Sequence, residues 1–161
     1  MRIYIIGCPG TGKTTIAKHL NKKLRIKHYE LDCIVYDDEN NHRKRSDEEI
    51  DKLYKEIIKK PNWIIEDVGR NKFKEGRDLA DKIYYIKLPK SEVNKRVIIR
   101  WIKQKVGKAP SNYPPTIKSL FEMLKWVKLY SKKEKILLKE LDEYKDKVRI
   151  IDITKIKEEN Q

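Results

Sequence analysis

The sequence predicts a three-layer α/β fold, in which a parallel sheet of about five strands carries helices on both faces. Short apolar runs, typical of buried strands, alternate along the chain with longer segments whose apolar residues recur at helical spacing. This alternation favours a parallel sheet, because parallel neighbours need crossover connections. A glycine-rich loop joins the first apolar run to the first helical segment. At 161 residues, the chain is expected to form a single domain over 1–161.

The first strand, the loop and the first helix form one predicted unit. Residues 3–6 are an apolar strand, and residues 7–14 read Gly-Cys-Pro-Gly-Thr-Gly-Lys-Thr, a Walker A phosphate-binding loop. The glycines let amide N–H groups converge on a polyphosphate at the N-terminus of the helix, which is predicted to begin near Lys13 and to carry its apolar positions over 15–24. The predicted nucleotide-binding residues are Gly7, Cys8, Pro9, Gly10, Thr11, Gly12, Lys13, Thr14 and Thr15.

Three side chains of this loop carry specific expectations. Lys13 is spaced to reach the β- and γ-phosphates of a nucleotide, and we interpret it as catalytic as well as binding. The Thr14 hydroxyl is a candidate ligand for the Mg²⁺ that bridges those phosphates. Loop amide dipoles could lower the pKa of Cys8 and make its thiol reactive. The simpler interpretation is a small residue tolerated at a variable loop position.

The next segment predicts a strand, a polar loop and a capped helix. Residues 28–31 alternate polar and apolar side chains, which indicates a short strand ending at Asp32. If the bound polyphosphate donates a phosphoryl group, Asp32 is the candidate for contacting the acceptor of that group, as a general base. The alternative is an Asx-turn residue that ends the strand. Residues 37–45 are polar and predict a loop, after which Ser46 and Glu49 form a capping box.

Acidic residues follow the predicted central strand. Residues 63–65 form a compact apolar run, and Glu66 and Asp67 come directly after it. Either acid could hold a magnesium-bound water opposite Thr14, or simply cap the turn that follows. Arg70 and Arg77 are weaker candidates for holding an acceptor anion. Residues 83–86 predict a further strand.

A helix with a basic face precedes a proline-rich segment. Ser91 is its predicted N-cap, and Arg96 and Arg100 stand four residues apart on one face. These arginines either close over the transferring phosphoryl group or form a solvated basic face. The prolines of residues 107–115 end the helix and predict a lid over about 100–118. The apolar stripe of the helix is predicted to be Val93, Val97, Ile98 and Trp101.

The rest of the chain predicts a long helix, a strand and a tail. From Thr116 a helical pattern resumes, and the polar residues 131–135 are a candidate point of bending or splitting. Residues 148–152 predict a last strand, and residues 155–161 a short tail. His19 and His28 are interpreted as surface histidines.

Composition separates two classes of function. The formal net charge is +14, but lysines are interleaved with acids, as in residues 132–135, which is typical of solvated helix faces. Nucleic acid is therefore an alternative partner that is not favoured, whereas a positive field suits small anionic substrates such as nucleotides.

Cys8 and Cys33 indicate neither a disulfide framework nor a zinc site. No stretch has the apolar length of a membrane span, and we expect a cytoplasmic protein.

Taken in order, these motifs resemble the adenylate-kinase-related P-loop kinase family, in particular the DNA topology modulation (FlaR-type) proteins. The resemblance runs nearly end to end. It is carried by the phosphate loop, Leu31-Asp32, Trp63-Ile-Ile-Glu66, Ala80-Asp81 and the pair Arg96 and Arg100. It implies a nucleoside-monophosphate-kinase fold, ATP with Mg²⁺ as donor, and a small acceptor between the Asp32 region and the lid. Residues 66–70 depart from the family's usual run and from that of adenylate kinases, so AMP is not supported as acceptor.

Two functional hypotheses follow. The first is a kinase that transfers the γ-phosphoryl group of ATP to a nucleotide, nucleoside or other small hydroxylated acceptor, with Lys13, Asp32, Arg96 and Arg100 as catalytic residues. The second is an ATP-dependent nucleic-acid-binding or regulatory NTPase. Neither the identity of the acceptor nor the oligomeric state has a signal in the sequence.

Overall fold

Five parallel strands form the central sheet of the computed structural model, which describes residues 1–37, 43–111 and 114–153. Within these ranges the strands are β1 (Arg2–Gly7), β2 (His28–Glu30), β3 (Tyr36–Asp37), β4 (Arg43–Lys44), β5 (Trp63–Asp67), β6 (Lys82–Lys87) and β7 (Val148–Asp152). The sheet has the order β2-β5-β1-β6-β7, and β3 pairs with β4 in a separate antiparallel ribbon. The predicted parallel sheet of five strands is confirmed.

Helices cover both faces of this sheet. The α-helices of the described ranges are α1 (Lys13–Leu24), α2 (Leu31–Val35), α3 (Asp47–Ile58), α4 (Lys74–Leu79), α5 (Lys90–Lys105) and α6 (Ile117–Leu141). Short 3-10 turns occupy Asn71–Phe73 and Asp142–Tyr144. No helix in the described part of the chain is both long and apolar enough to cross a membrane.

The core is divided by the sheet into two apolar layers. Alternate side chains of β1 and β5 point to opposite faces, as the pleat of a strand requires. Ile5 and Ile64 pack with Ala17 of α1 on one face. The other face is larger and packs against α3 and the C-terminal part of α6 through Tyr4, Trp63, Ile65, Tyr54, Leu137 and Leu141. The helix α5 packs on the phosphate loop and α6, through a cluster that contains Cys8, Val93, Val97 and Val127.

The chain after β2 differs from its prediction. The strand ends at Glu30, and Leu31–Val35 form the helix α2, so Asp32 lies in the first turn of a helix. Arg45 donates hydrogen bonds to the carbonyl oxygens of Cys33 (2.7 Å) and Ile34 (3.1 Å), which satisfies acceptors at the end of α2. The predicted polar loop contains the ribbon strands β3 and β4, and its residues 38–42 lie outside the described ranges.

Other boundaries confirm some predictions and correct others. The capping box is confirmed, since Ser46 Oγ accepts from Glu49 N (3.2 Å) and Glu49 Oε2 accepts from Ser46 N (2.7 Å). The helix α5 begins at Lys90, so Ser91 lies inside it and Pro89 takes the N-cap position.

The helix α6 is continuous through residues 131–135, so the predicted split there is wrong, and the alternative of a bend stays a prediction. The apolar stripe of α5 is narrower than predicted, because Ile98 is 39% exposed. Residues 112–113 of the predicted lid and the predicted tail at 155–161 lie outside the described ranges.

Tyr54 makes a buried connection on which the packing of α4 depends. Its hydroxyl donates to the carbonyl oxygen of Phe73 (2.9 Å) and accepts from the amide of Gly76 (2.7 Å). We expect Tyr54→Phe to lower the free energy of unfolding by about 1–3 kcal/mol, because both backbone groups would be left buried without this partner. Urea unfolding followed by circular dichroism measures the change.

Tyr84→Phe is the matched control, because the Tyr84 hydroxyl bonds to none of the described residues and its removal should change stability by no more than about 0.5 kcal/mol. Equal losses in the two variants would contradict a specific role for the Tyr54 hydroxyl.

Candidate functional site

Two glycines allow the turns of the phosphate loop, and the hydrogen bonds of one threonine close it. Gly10 (φ +85°) and Gly12 (φ +98°) adopt the left-handed conformation that favours glycine. Thr11 is buried, and its hydroxyl (2.8 Å) and amide (3.2 Å) both donate to the carbonyl oxygen of Cys8. A Cβ on Gly7 would lie 2.9 Å from Thr11 Oγ1, so a side chain there would disrupt this closure.

The predicted nucleotide-binding residues all lie along this turn from β1 into α1. Gly7, Cys8 and Thr11 are buried, Pro9, Gly10, Gly12, Lys13 and Thr14 are partly exposed, and Thr15 is exposed.

Lys13 lies among carboxylates at the first residue of α1. Its Nζ donates to the carbonyl oxygen of Cys8 (3.2 Å) across the loop. Desolvation by the surrounding protein lowers the pKa of Lys13, while Glu66, Asp32 and Asp67 act in the opposite direction. The ammonium is therefore within the electrostatic influence of acids from two different segments.

Cys8 is not activated by the loop. Burial raises the pKa of its thiol to about 12, and the charge of Lys13 offsets only part of this effect. The idea of a reactive Cys8 is therefore wrong, and the residue serves as a small apolar side chain packed against Val93 and Val97.

Glu66 connects the central strand to the phosphate loop. It is 7% exposed, and its Oε1 accepts a hydrogen bond from the hydroxyl of Thr14 at 2.7 Å. The parallel register places Glu66 beside Ile5 of β1, just before the loop begins. A hydroxyl and a carboxylate, both hard oxygen donors, thus meet at the N-terminus of α1.

Asp67, the neighbouring acid, has a different environment. Its Oδ2 accepts from the amides of Gly69 (2.9 Å) and Arg70 (2.6 Å), and its Oδ1 accepts from Nη1 of Arg70 (2.6 Å). Asp67 thereby closes the turn that leaves β5. The structure separates the two acids between which the sequence left the choice open: Glu66 contacts Thr14, whereas Asp67 contacts the turn.

Arg70 links Asp67 to Asp32. Its guanidinium also pairs with Asp32 Oδ1, and the side chain of Asp32 is 65% exposed. Partial burial alone would lower the pKa of Arg70, but Asp67 and Asp32 together raise it above its ordinary value. The partly buried guanidinium of Arg70 thus holds the exposed carboxylate of Asp32 at a fixed place near the loop.

The other predicted arginines lie in three different environments. Arg96 reaches the phosphate loop, where its Nη1 donates to the carbonyl oxygen of Thr11 at 3.2 Å. Arg100 is exposed one turn further along α5 and bonds to none of the described residues. Arg77 is 1% exposed and donates to the Gly69 carbonyl at 3.4 Å, so it supports the turn after β5 and is not placed to hold an acceptor.

Sequence reasoning missed two side chains of β2. The interpretation of His28 as a surface residue is wrong, because its side chain is only 10% exposed and its Nε2 lies 3.3 Å from Glu66 Oε2. Glu30 pairs in register with Glu66, and burial together with the Glu66 charge raises its pKa. The signal was present: residues two apart on a strand share a face, and Glu66 follows the neighbouring strand. His19 is exposed, as predicted.

Comparisons with known proteins agree with this architecture. The AAA domain family model matches residues 3–106, which run from β1 to the end of α5. Among solved structures, a shikimate kinase from Bacteroides thetaiotaomicron is 19% identical with a TM-score of 0.60, and the match covers 86% of this chain and 82% of that chain. A shikimate kinase from Aquifex aeolicus is also 19% identical, with a TM-score of 0.46 and coverage of 82% and 83%.

The first of these likenesses shows a three-layer α/β nucleotide-kinase fold, and the predicted fold class is confirmed. No curated protein matches the chain. The narrower resemblance to the DNA topology modulation (FlaR-type) proteins stays a prediction.

The two cysteines should differ in reactivity. A thiol reagent at neutral pH is expected to modify Cys33, which is exposed, and to leave Cys8 unmodified in the folded protein. The reason is that the thiolate is the nucleophile, and a thiol with a pKa of about 12 is almost fully protonated at neutral pH. Mass spectrometry of the intact protein counts the added groups.

In the control, Cys33→Ser should take up the reagent only after denaturation. Modification of Cys8 in the native protein at the rate of Cys33 would show that its thiol is neither buried nor protonated as described.

Proposed function

Because the chain belongs to the AAA domain family, we propose that it is an ATP-dependent kinase that transfers the γ-phosphoryl group to a nucleotide, nucleoside or other small hydroxylated acceptor. One observation carries the proposal: Glu66 accepts a hydrogen bond from Thr14 of the phosphate loop, and its neighbour Asp67 is linked through Arg70 to Asp32. The donor side and the candidate acceptor side therefore belong to one site.

The donor side is formed by the loop and the start of α1. Loop amides and Lys13 would hold the phosphates, as the geometry of such loops allows. The hydroxyl of Thr14 and the carboxylate of Glu66, 2.7 Å apart, are the hard oxygen donors that Mg²⁺ prefers, and we assign the ion to them. Magnesium would neutralise charge on the β- and γ-phosphates during transfer. Asp67 has no such role, because its oxygens are used by the turn after β5.

The acceptor side is formed by Asp32 and Arg70. Asp32 offers an exposed carboxylate to an acceptor hydroxyl, where it would orient the nucleophile and accept its proton. Arg70 is fixed through its amide and its guanidinium by Asp67, so Asp32 is positioned before the acceptor arrives.

Arg96 is the candidate for stabilising the transferring group. Its contact with the Thr11 carbonyl places a guanidinium on the phosphate loop. Positive charge at this point would offset the negative charge of the transition state. Arg100 lies one turn further from the loop, so its participation would require movement of the predicted lid.

Transfer to an acceptor is tested by ADP release measured across a panel of nucleotides, nucleosides and small hydroxylated metabolites with Mg²⁺-ATP. We expect ADP release to depend on at least one acceptor. Lys13→Ala should abolish it, and Asp32→Asn should lower kcat by about 10²–10⁴-fold with nucleotide binding retained, because the proton acceptor is lost. Asp146→Asn, at an exposed acid without contacts to the described residues, is the control.

Acceptor-independent ADP release across the whole panel, or wild-type turnover by Asp32→Asn, would reject the kinase proposal. ADP release that instead requires DNA or RNA would support the regulatory NTPase.

Arg96 and its neighbours on α5 provide a second test. Arg96→Ala should lower kcat by about 10²–10³-fold, the usual loss when one group that stabilises transition-state charge is removed. Arg100→Ala should lower kcat by a smaller factor, because Arg100 does not reach the loop. Steady-state kinetics with saturating ATP measure both effects.

Lys95→Ala removes a positive charge from the exposed face of the same helix and should leave kcat unchanged. If Lys95→Ala lowered kcat as much as Arg96→Ala, the effect would come from the overall positive charge of the helix and not from a contact with the loop.

A further inference from the structure

Three side chains converge between β2 and β5 on the face of the sheet that α1 covers. His28 and Glu30 come from β2, and Glu66 comes from β5, where it pairs in register with Glu30. One ligand atom from each residue lies within 4.8 Å of the other two. None of the roles assigned above uses His28 or Glu30.

Two atoms of this group are buried without hydrogen-bond partners among the described residues. His28 Nε2 and Glu66 Oε2 lie 3.3 Å apart, but their geometry is not that of a hydrogen bond. Their side chains are only 10% and 8% exposed. A buried polar atom without a partner is costly, and two carboxylates directly opposite each other on neighbouring strands add repulsion. A cation between the three side chains would remove both costs.

The donor atoms and their spacing indicate the kind of cation. Imidazole nitrogen with carboxylate oxygens suits divalent transition metals, whereas Mg²⁺ and Ca²⁺ prefer oxygen alone. Ligands at about 2.0–2.1 Å from a tetrahedral ion are about 3.4 Å apart, close to the His28–Glu66 separation of 3.3 Å. We propose that His28 Nε2, a carboxylate oxygen of Glu30 and Glu66 Oε2 bind a divalent transition-metal ion such as Zn²⁺, Mn²⁺ or Co²⁺.

This site is separate from the magnesium position but shares one residue with it. Glu66 turns Oε1 to the hydroxyl of Thr14 and Oε2 to His28, so the carboxylate bridges the two places. An ion held by Oε2 would restrict rotation of the carboxylate and keep Oε1 directed at Thr14. Three protein ligands also leave a coordination position for water.

The test uses the full chain with Co²⁺ as probe and without nucleotide or acceptor, so its outcome does not depend on the proposed kinase activity. Cys33→Ser serves as the starting protein, which removes an exposed thiol that could bind the probe. We expect the Co²⁺ absorption spectrum to titrate with one ion per chain, to be displaced by Zn²⁺ and to persist in excess Mg²⁺.

His28→Ala and Glu30→Gln should each weaken Co²⁺ binding by at least about tenfold, the scale seen when even an outer-shell partner of a metal ligand is removed. His19→Ala is the matched control, since His19 is exposed on α1, and it should bind like the starting protein.

Zn²⁺ should also raise the Tm of the starting protein and of His19→Ala, but not that of Glu30→Gln. If His28→Ala does not fold, this Tm measurement with Glu30→Gln tests the metal site in its place. No Co²⁺ binding by the starting protein, or binding that survives both His28→Ala and Glu30→Gln, would overturn the proposal. Loss of binding in His19→Ala would do so as well.

Discussion

The parallel register of β2, β5 and β1 is the constraint on which the whole site depends. It sets Glu30 beside Glu66 and Glu66 beside Ile5, directly before the phosphate loop leaves the sheet. Three segments that are distant in sequence therefore end at one level. A slip of one residue in β5 would turn every side chain of that strand to the opposite face and remove Glu66 from Thr14. The buried apolar residues of both faces resist such a slip.

The pleat of β5 explains why two neighbouring acids differ in role. Glu66 follows Ile64 on the face that α1 covers, so it meets Thr14 and His28. Asp67 follows Ile65 on the other face, where the chain turns and the Gly69 and Arg70 amides need acceptors. A single strand thereby supplies one acid to the nucleotide side and one to the turn that positions Arg70.

Local patterns in the sequence were sufficient for the five strands of the central sheet, the capped helix and the phosphate loop, because each of these depends on neighbouring residues. The helix α2 could not be predicted, since Leu31–Val35 are too few to show a helical period. The carbonyls of Cys33 and Ile34 are satisfied by a side chain outside the helix, that of Arg45, which lies 12 and 11 residues further along the chain. The pairing of Asp32 with Arg70 spans 38 residues and has no local signal. To predict that Glu66 faces Thr14, one further fact was needed, namely which side of the sheet α1 covers.

The charge around the loop contrasts with the charge of the chain. The net charge is +14, yet Lys13 lies within the electrostatic influence of Glu66, Asp32 and Asp67. The distributed lysines can attract an anion from a distance, but salt screens exposed charges beyond about 8–10 Å. Within the site, a phosphate about 4 Å from an uncompensated carboxylate would meet a repulsion on the order of 4 kcal/mol. A divalent cation beside Thr14 and Glu66 would reverse the sign of that interaction. On the proposed function, Thr14 and Glu66 would hold that ion where it favours nucleotide binding as well as phosphoryl transfer.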